Sequence, residues 1–230
     1  MSRQVVSCPA VSCPAVKRAF NPRSCAAAKR AGFTLIEMIA VLLILTVLVG
    51  IFVSQIGGAQ DLVETKLARV QLEQIAVAAA EYEVEEGDYP ASHFDQKMGA
   101  APNAINLGIE RLILALWSDG FDGCGLSPDD LDNLDGDRSA KALSDLPTTD
   151  LFEMIDPWGN PIAYFHHTDY EREDLYQTFD ALTGERVDGK VRALRNPKTK
   201  LFFEHRRFQL ISAGPDGLFA TEDDITNFNR

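Results

Sequence analysis

In FQLISAGPDGLFATEDDITNF, residues 208–228, Asp223 and Asp224 follow Asp216 by seven and eight positions. A loop that returns on itself across that interval brings three carboxylates together. Like charges so placed repel unless a hard cation with oxygen ligands neutralises them; otherwise the segment is an exposed acidic turn. No basic residue lies between Gln209 and Asn229, which agrees with a cation as guest. DDLDNLDGD, residues 129–137, is a weaker candidate. Counting back from Gly136 puts Leu131 where an EF-hand loop needs its first oxygen ligand, so the stretch is expected to be a solvated acidic loop. His166-His167, with Asp169, Glu171, Glu173, Asp174 and the later His205, offers metal-capable side chains. Adjacent histidines on a strand point to opposite faces, however, and are not expected to share an ion. With no nucleophile elbow, phosphate loop or zinc helix motif, no enzyme is expected.

Glu37 raises a different question. It is the sole charge between Ala31 and Gln60, inside the apolar run KRAGFTLIEMIAVLLILTVLVGIF of residues 29–52. From Leu35 to Val53 only Glu37, Thr46 and Gly50 interrupt aliphatic and aromatic residues, a length that at about 1.5 Å per residue crosses a hydrocarbon core. A carboxylate in lipid needs a partner, and no Lys, Arg or His lies between Ala31 and Lys66. Cutting the chain after Gly32 would create one: a free amine on Phe33, reaching Glu37 of the same chain or of a neighbouring copy. A secretory signal would have a shorter apolar core and a small-x-small cleavage site, which Gly57-Gly58-Ala59 barely resembles.

Charge orients the span. Residues 1–32 carry six of the 22 basic residues and no acid, leaving 16 basic against 34 acidic residues for 33–230. The leader stays cytoplasmic by the positive-inside rule, and the acidic body lies across the membrane. Such a body has no basic face for a polyanion, so no nucleic-acid partner is expected. Cys8, Cys13 and Cys25 sit in the leader with the tandem VSCPA copies, and Cys124 alone follows, so 33–230 has no internal disulfide.

The elements that must position these groups read as follows. Val63, Leu67, Val70, Ala78 and Tyr82, with Leu72, Ile75 and Ala79 on an adjoining stripe, make an amphipathic continuation of the apolar helix. The lower half of this amphipathic face is expected to enter the domain core and the upper half to meet neighbouring subunits. Glu85-Glu86-Gly87 and Pro90 stop a helix that begins at Phe33, and Gly57-Gly58 invites a bend or melted turn. Ile109–Trp117 reads as a short helix and 120–137 as a loop rich in Gly and Asp. DPWGNPIAYF, residues 156–165, is a turn entering a strand at Ile162–Phe165, and Phe208–Ile211 is another strand before the turn Gly214–Gly217.

KRAGFTLIEMIAVLLILTVL resembles the N-terminus of prepilins, the precursors of type IV pilins and type II secretion pseudopilins. The resemblance implies cleavage between Gly32 and Phe33 by a prepilin peptidase, methylation of the new amine, and Glu37 as the assembly carboxylate. DPWGNP is similar to a signature of the major pseudopilins, with Ile162 where an aromatic is usual, and SAGPDG followed by DDI is similar to their C-terminal calcium loop. Carried over, Asp216, Asp223 and Asp224 would give side-chain oxygens to Ca2+, and Ala213 and Thr221 backbone carbonyls. The implied fold is α+β and pilin-like: a long N-terminal helix, transmembrane and then amphipathic, packed on a small antiparallel sheet. The implied organisation is a leader at 1–32, a transmembrane half-helix at 33–56, and a periplasmic domain at 57–230 with its calcium loop at 212–225. The implied role is a structural subunit of a type II secretion pseudopilus, a homopolymer in contact with other pseudopilins, the inner-membrane secretion platform and membrane lipid. A minor pseudopilin, a type IV pilin of another system and a membrane-tethered calcium module are the alternatives. The resemblance covers 29–90 and 155–228; 91–150 and 166–200 exceed it.

Overall fold

The computed structural model describes residues 32–95, 98–99 and 102–229, and of residues 52–61 only the backbone. The basic leader, with its three cysteines and its tandem repeat, lies outside the described residues, as does the expected bond's cytoplasmic side up to Ala31. The chain divides into two compact units, the second beginning at Gly50.

Helix α1 runs Leu35–Glu86. It ends where the sequence says it should: Gly87 takes φ 83°, the left-handed conformation that costs glycine nothing, and its N–H closes on Glu83 O at 2.9 Å. The backbone stays helical across Gly57-Gly58, so the local cost of two glycines does not melt a turn there. In the first unit every large apolar side chain described from Phe33 to Val49 is at least 47% exposed. Among the described residues no helix is long and apolar enough to cross a membrane.

In the second unit α1 buries Ala68, Leu72, Ile75, Ala78 and Ala79 to within 1% of full burial. On the first stripe Ala78 is buried and Tyr82 packs against the core, whereas Val63, Leu67 and Val70 higher up stay exposed; Leu72, Ile75 and Ala79 of the adjoining stripe are buried beside the lower half. The core that face enters is shared by α2, Leu107–Leu116, which starts two residues before the expected Ile109. Gly108 lets α2 approach the sheet: a Cβ there would lie 2.2 Å from Tyr164 O and 2.6 Å from Tyr176 Oη. Any side chain would push the helix off.

Among the described residues the strands form three separate small antiparallel sheets rather than one. Strands β1 (Leu131–Asp132) and β2 (Glu153–Met154) pair as a two-residue ladder, so the acidic 120–137 segment is not wholly loop. Strand β3 (Ala163–His166) pairs with β6 (Phe208–Ser212), which also carries β7 (Ile225–Thr226). Strands β4 (Glu173–Phe179) and β5 (Arg186–Arg192) make a hairpin, Glu173 opposite Arg192 and Phe179 opposite Arg186. All of β3 and β6 is buried, and Tyr164, Phe165, Phe208 and Leu210 join Leu72, Ile75, Ile109 and Leu112 in one core. The fold is α+β, a helix packed with small antiparallel sheets.

Candidate functional site

Glu37 has a partner within its own chain. Its Oε2 accepts from Thr34 N at 2.8 Å and from Thr34 Oγ1 at 2.9 Å, and Thr34 Oγ1 accepts from Glu37 N at 3.3 Å. This is a capping box: T-x-x-E satisfies reciprocally two of the amides a helix leaves open at its start. The spacing Thr34-Leu35-Ile36-Glu37 carries that signal in plain sequence. Gly32 and Phe33 precede it on exposed backbone, Phe33 being 82% exposed.

The C-terminal loop does return on itself. Ile211 pairs with Thr226 and Ser212 with Ile225, so β6 and β7 clamp residues 213–224 at their base. Gly214 and Gly217 are forced: both have positive φ, and a Cβ would stand 2.6 Å from Asp223 O at the first and 1.8 Å from Phe179 O at the second. Inside, Asp216 Oδ1 accepts from Leu218 N at 2.8 Å, Asp223 Oδ2 from Asp216 N at 3.3 Å, and Asp224 Oδ2 from Ala220 N at 3.1 Å. Ala213 is fully buried, and Thr221 Oγ1 lies within hydrogen-bonding reach of Leu218 O and Asp223 Oδ1.

The DPWGNP turn supports that loop. Asp156 Oδ1 accepts from Trp158 N at 3.0 Å and Asn160 N at 2.9 Å, and its Oδ2 accepts from Ser212 Oγ at 2.7 Å. Burial pushes the Asp156 carboxyl up to about 6 in spite of those bonds. Asn160 Oδ1 takes Phe179 N at 2.7 Å, tying the turn to β4.

The acids after His166-His167 are dispersed into ion pairs. Asp169 bonds Ser92 and His93, Glu171 pairs with Arg195, Glu173 with Lys190 and Arg192, and Asp174 with Arg172. His205 is exposed. The two histidines, however, are not held apart as a strand would hold them. Strand β3 ends at His166, His167 opens a 3₁₀ turn, and their ring centroids are 4.2 Å apart. Asp88, which no spacing in the sequence ties to this pair, meets His166 Nε2 at 3.3 Å.

Among the described residues two groups of three metal-capable side chains have ligand atoms within 4.8 Å of one another: Asp88, His166 and His167, and Glu110, Asp135 and Asp137. The loop aspartates do not form a third. Burial drives the Glu110 carboxyl up to about 10, helped by Asp137, Glu153 and Asp135; it drives Glu153 to about 8 and Asp137 to about 6.

The chain matches the model of the prokaryotic N-terminal methylation motif over residues 27–53. It is 26% identical over 200 residues to the type II secretion system core protein G of Escherichia coli strain K12, covering 87% of this chain and 92% of that one. The crystal structure of the major pseudopilin from the type 2 secretion system of enterohaemorrhagic Escherichia coli matches loosely, with a TM-score of 0.29 and 15% identity over 74% of this chain and 90% of that one. The relative is named as a secretion component, in line with the expectation of no enzyme. With that motif at its start and that relative along most of its length, the chain resembles the pseudopilins of type II secretion, as KRAGFTLIE and DPWGNP imply.

Proposed function

We propose that the chain is a major pseudopilin of type II secretion, cleaved between Gly32 and Phe33, that polymerises through α1 into a periplasmic filament. The observation that carries this is the methylation motif over residues 27–53, centred on a lone carboxylate in an apolar helix. The apolar side chains from Phe33 to Ile51 stand exposed, so they require lipid before assembly and neighbouring copies after it. In this reading residues 33–56 span the inner membrane, the domain from 57 onwards lies in the periplasm, and a prepilin peptidase and the inner-membrane platform act on the precursor. Glu37 then serves twice, as the cap of α1 and as the counter-charge for the Phe33 amine of a neighbouring subunit. Likeness to a core protein G favours the major subunit over a minor pseudopilin or a pilin of another system. A merely tethered module would have no use for the cut.

In the same reading the 212–225 loop holds Ca2+ through Asp216, Asp223 and Asp224, with carbonyls of Ala213 and Thr221. The β6–β7 clamp and the two forced glycines support it, because they fix the ends of a loop that three carboxylates would otherwise spread.

The test of the assembly reading is mass spectrometry of the chain from membranes that contain a prepilin peptidase and a type II secretion platform. A mature chain starting at methylated Phe33, with pelletable filaments, is expected. An intact leader on assembled protein overturns it.

A further inference from the structure

DDLDNLDGD fails as a linear calcium motif, yet its end reaches a carboxylate far from it in the chain. Glu110 lies in the first turn of α2, 0% exposed, and neither of its oxygens meets a hydrogen-bond donor. Asp135 and Asp137 close around it from the turn after β1. Each anchors itself with one oxygen: Asp135 Oδ1 accepts from Asp137 N at 3.2 Å, and Asp137 Oδ2 from Asn103 N at 3.1 Å. Their other oxygens, Asp135 Oδ2 and Asp137 Oδ1, are buried without a donor. Ligand atoms of the three residues lie within 4.8 Å of one another.

The surroundings hold this geometry in place. Glu153, also 0% exposed, borders the group but is fully engaged, taking Asn106 Nδ2 at 2.8 Å and Leu134 N at 3.0 Å. Asn106 stands immediately before α2 and its Oδ1 accepts Gln177 N at 3.1 Å, so the start of α2, the 133–137 turn and β4 are bonded into one frame.

Four carboxylate oxygens, two of Glu110 and one from each aspartate, are therefore buried without a donor from the protein, on three residues whose ligand atoms lie within 4.8 Å of one another. A proton shared between two carboxyls would satisfy two oxygens and strand the rest. A cation that takes six to eight oxygens satisfies all four. The donor set has no nitrogen or sulfur, which selects a hard ion. A bidentate glutamate on a protein-built cage suits calcium, whereas magnesium keeps most of its waters. We propose that Glu110, Asp135 and Asp137 form a calcium site that fastens the 133–137 turn to α2, separate from the C-terminal loop.

The site does not rest on the assembly reading, and binding stoichiometry keeps it distinct from the loop at 212–225. The full chain in detergent, stripped with chelator, is dialysed at neutral pH against radioactive calcium. In an Asp223→Ala, Asp224→Ala background one calcium per chain should remain. Adding Glu110→Gln or, separately, Asp137→Asn should remove it, and excess magnesium should not displace it. Glu110→Gln is near-isosteric, and circular dichroism in chelator checks that it folds; Asp137→Asn, on a half-buried turn, keeps the test sharp if it does not. No calcium in the double-alanine background, or undiminished calcium in both added variants, overturns the site.

Discussion

Ser212 Oγ donates to Asp156 Oδ2 at 2.7 Å and accepts from Gly214 N at 3.2 Å, so one hydroxyl joins the DPWGNP turn to the first turn of the C-terminal loop. Both ends of this relay are buried. Asp156→Ala strips the acceptor from Ser212 Oγ, Trp158 N and Asn160 N together, and leaving buried donors unmade costs about 1–3 kcal/mol each. The variant should melt well below wild type, and its melting should respond less to calcium because Gly214 loses its anchor. An Asp156→Ala chain with a wild-type melting temperature would mean that the turn stands without the relay.

The same carboxyl sets a pH dependence. Burial raises Asp156 to about 6, above its ordinary 3.8, so between those values the folded chain holds a proton that the unfolded chain has released. Stability therefore falls as pH rises from about 4 to about 6 and is flat above, on account of this group. Asp156→Asn keeps an acceptor for the backbone amides and removes the titration. The stability difference between wild type and the Asp156→Asn variant, measured by unfolding at intervals from acid to mildly alkaline pH, should change only within that window; a constant difference refutes it.

Much of this could be seen in the sequence because its causes are local. Gly87 ends α1 through its own φ, and the proline and glycine of DPWGNP define a turn whichever sheet follows. The apolar face of α1 is legible in its helical spacing, but only packing decides where along it burial ends, with Leu72, Ile75 and Ala78 in the core and Val63 and Val70 outside it. The β4–β5 hairpin has a signal in the sequence too, since EDLYQTF and RVDGKVR alternate on either side of a turn from Asp180 to Gly184, but it lies outside the stretches that resemble pseudopilins. Period-two geometry separated His166 from His167 on paper and fails because the strand stops between them. Glu110 stayed hidden for another reason: its neighbours lie beyond 130 in sequence, and no spacing rule joins a helix start to a distant turn.

Glu37 now has two offices, and one substitution separates them. Glu37→Gln keeps an oxygen to accept from Thr34 N, so the capping box survives, but it has no charge to offer an amine. Glu37→Ala loses both. If charge pairing drives assembly, both variants should reach the membrane and both should form few filaments. If capping is what matters, the glutamine variant should assemble as wild type while alanine does not. Filament yield by shearing and sedimentation, normalised to membrane level, decides between them.

Calcium at the C-terminal loop is read through Trp158, which packs at the edge of the core on the turn that Asp156 organises. Because Glu110 and its neighbours are expected to take calcium too, the comparison is made in Glu110→Gln chains, solubilised at full length. Without an ion, Asp216, Asp223 and Asp224 repel one another against the amide bonds that hold them; with one, β6 and β7 are tied across the loop. A ligand bound only by the folded form stabilises by about 2.7 kcal/mol at a hundredfold excess over Kd. Melting followed by tryptophan fluorescence should shift upward with calcium and hardly at all with magnesium, whose smaller octahedral shell fits this loop poorly. Asp223→Ala should abolish the shift. A melting curve indifferent to calcium, or an Asp223→Ala chain that responds in full, would leave the loop an acidic turn held by β6–β7 pairing and its two glycines alone.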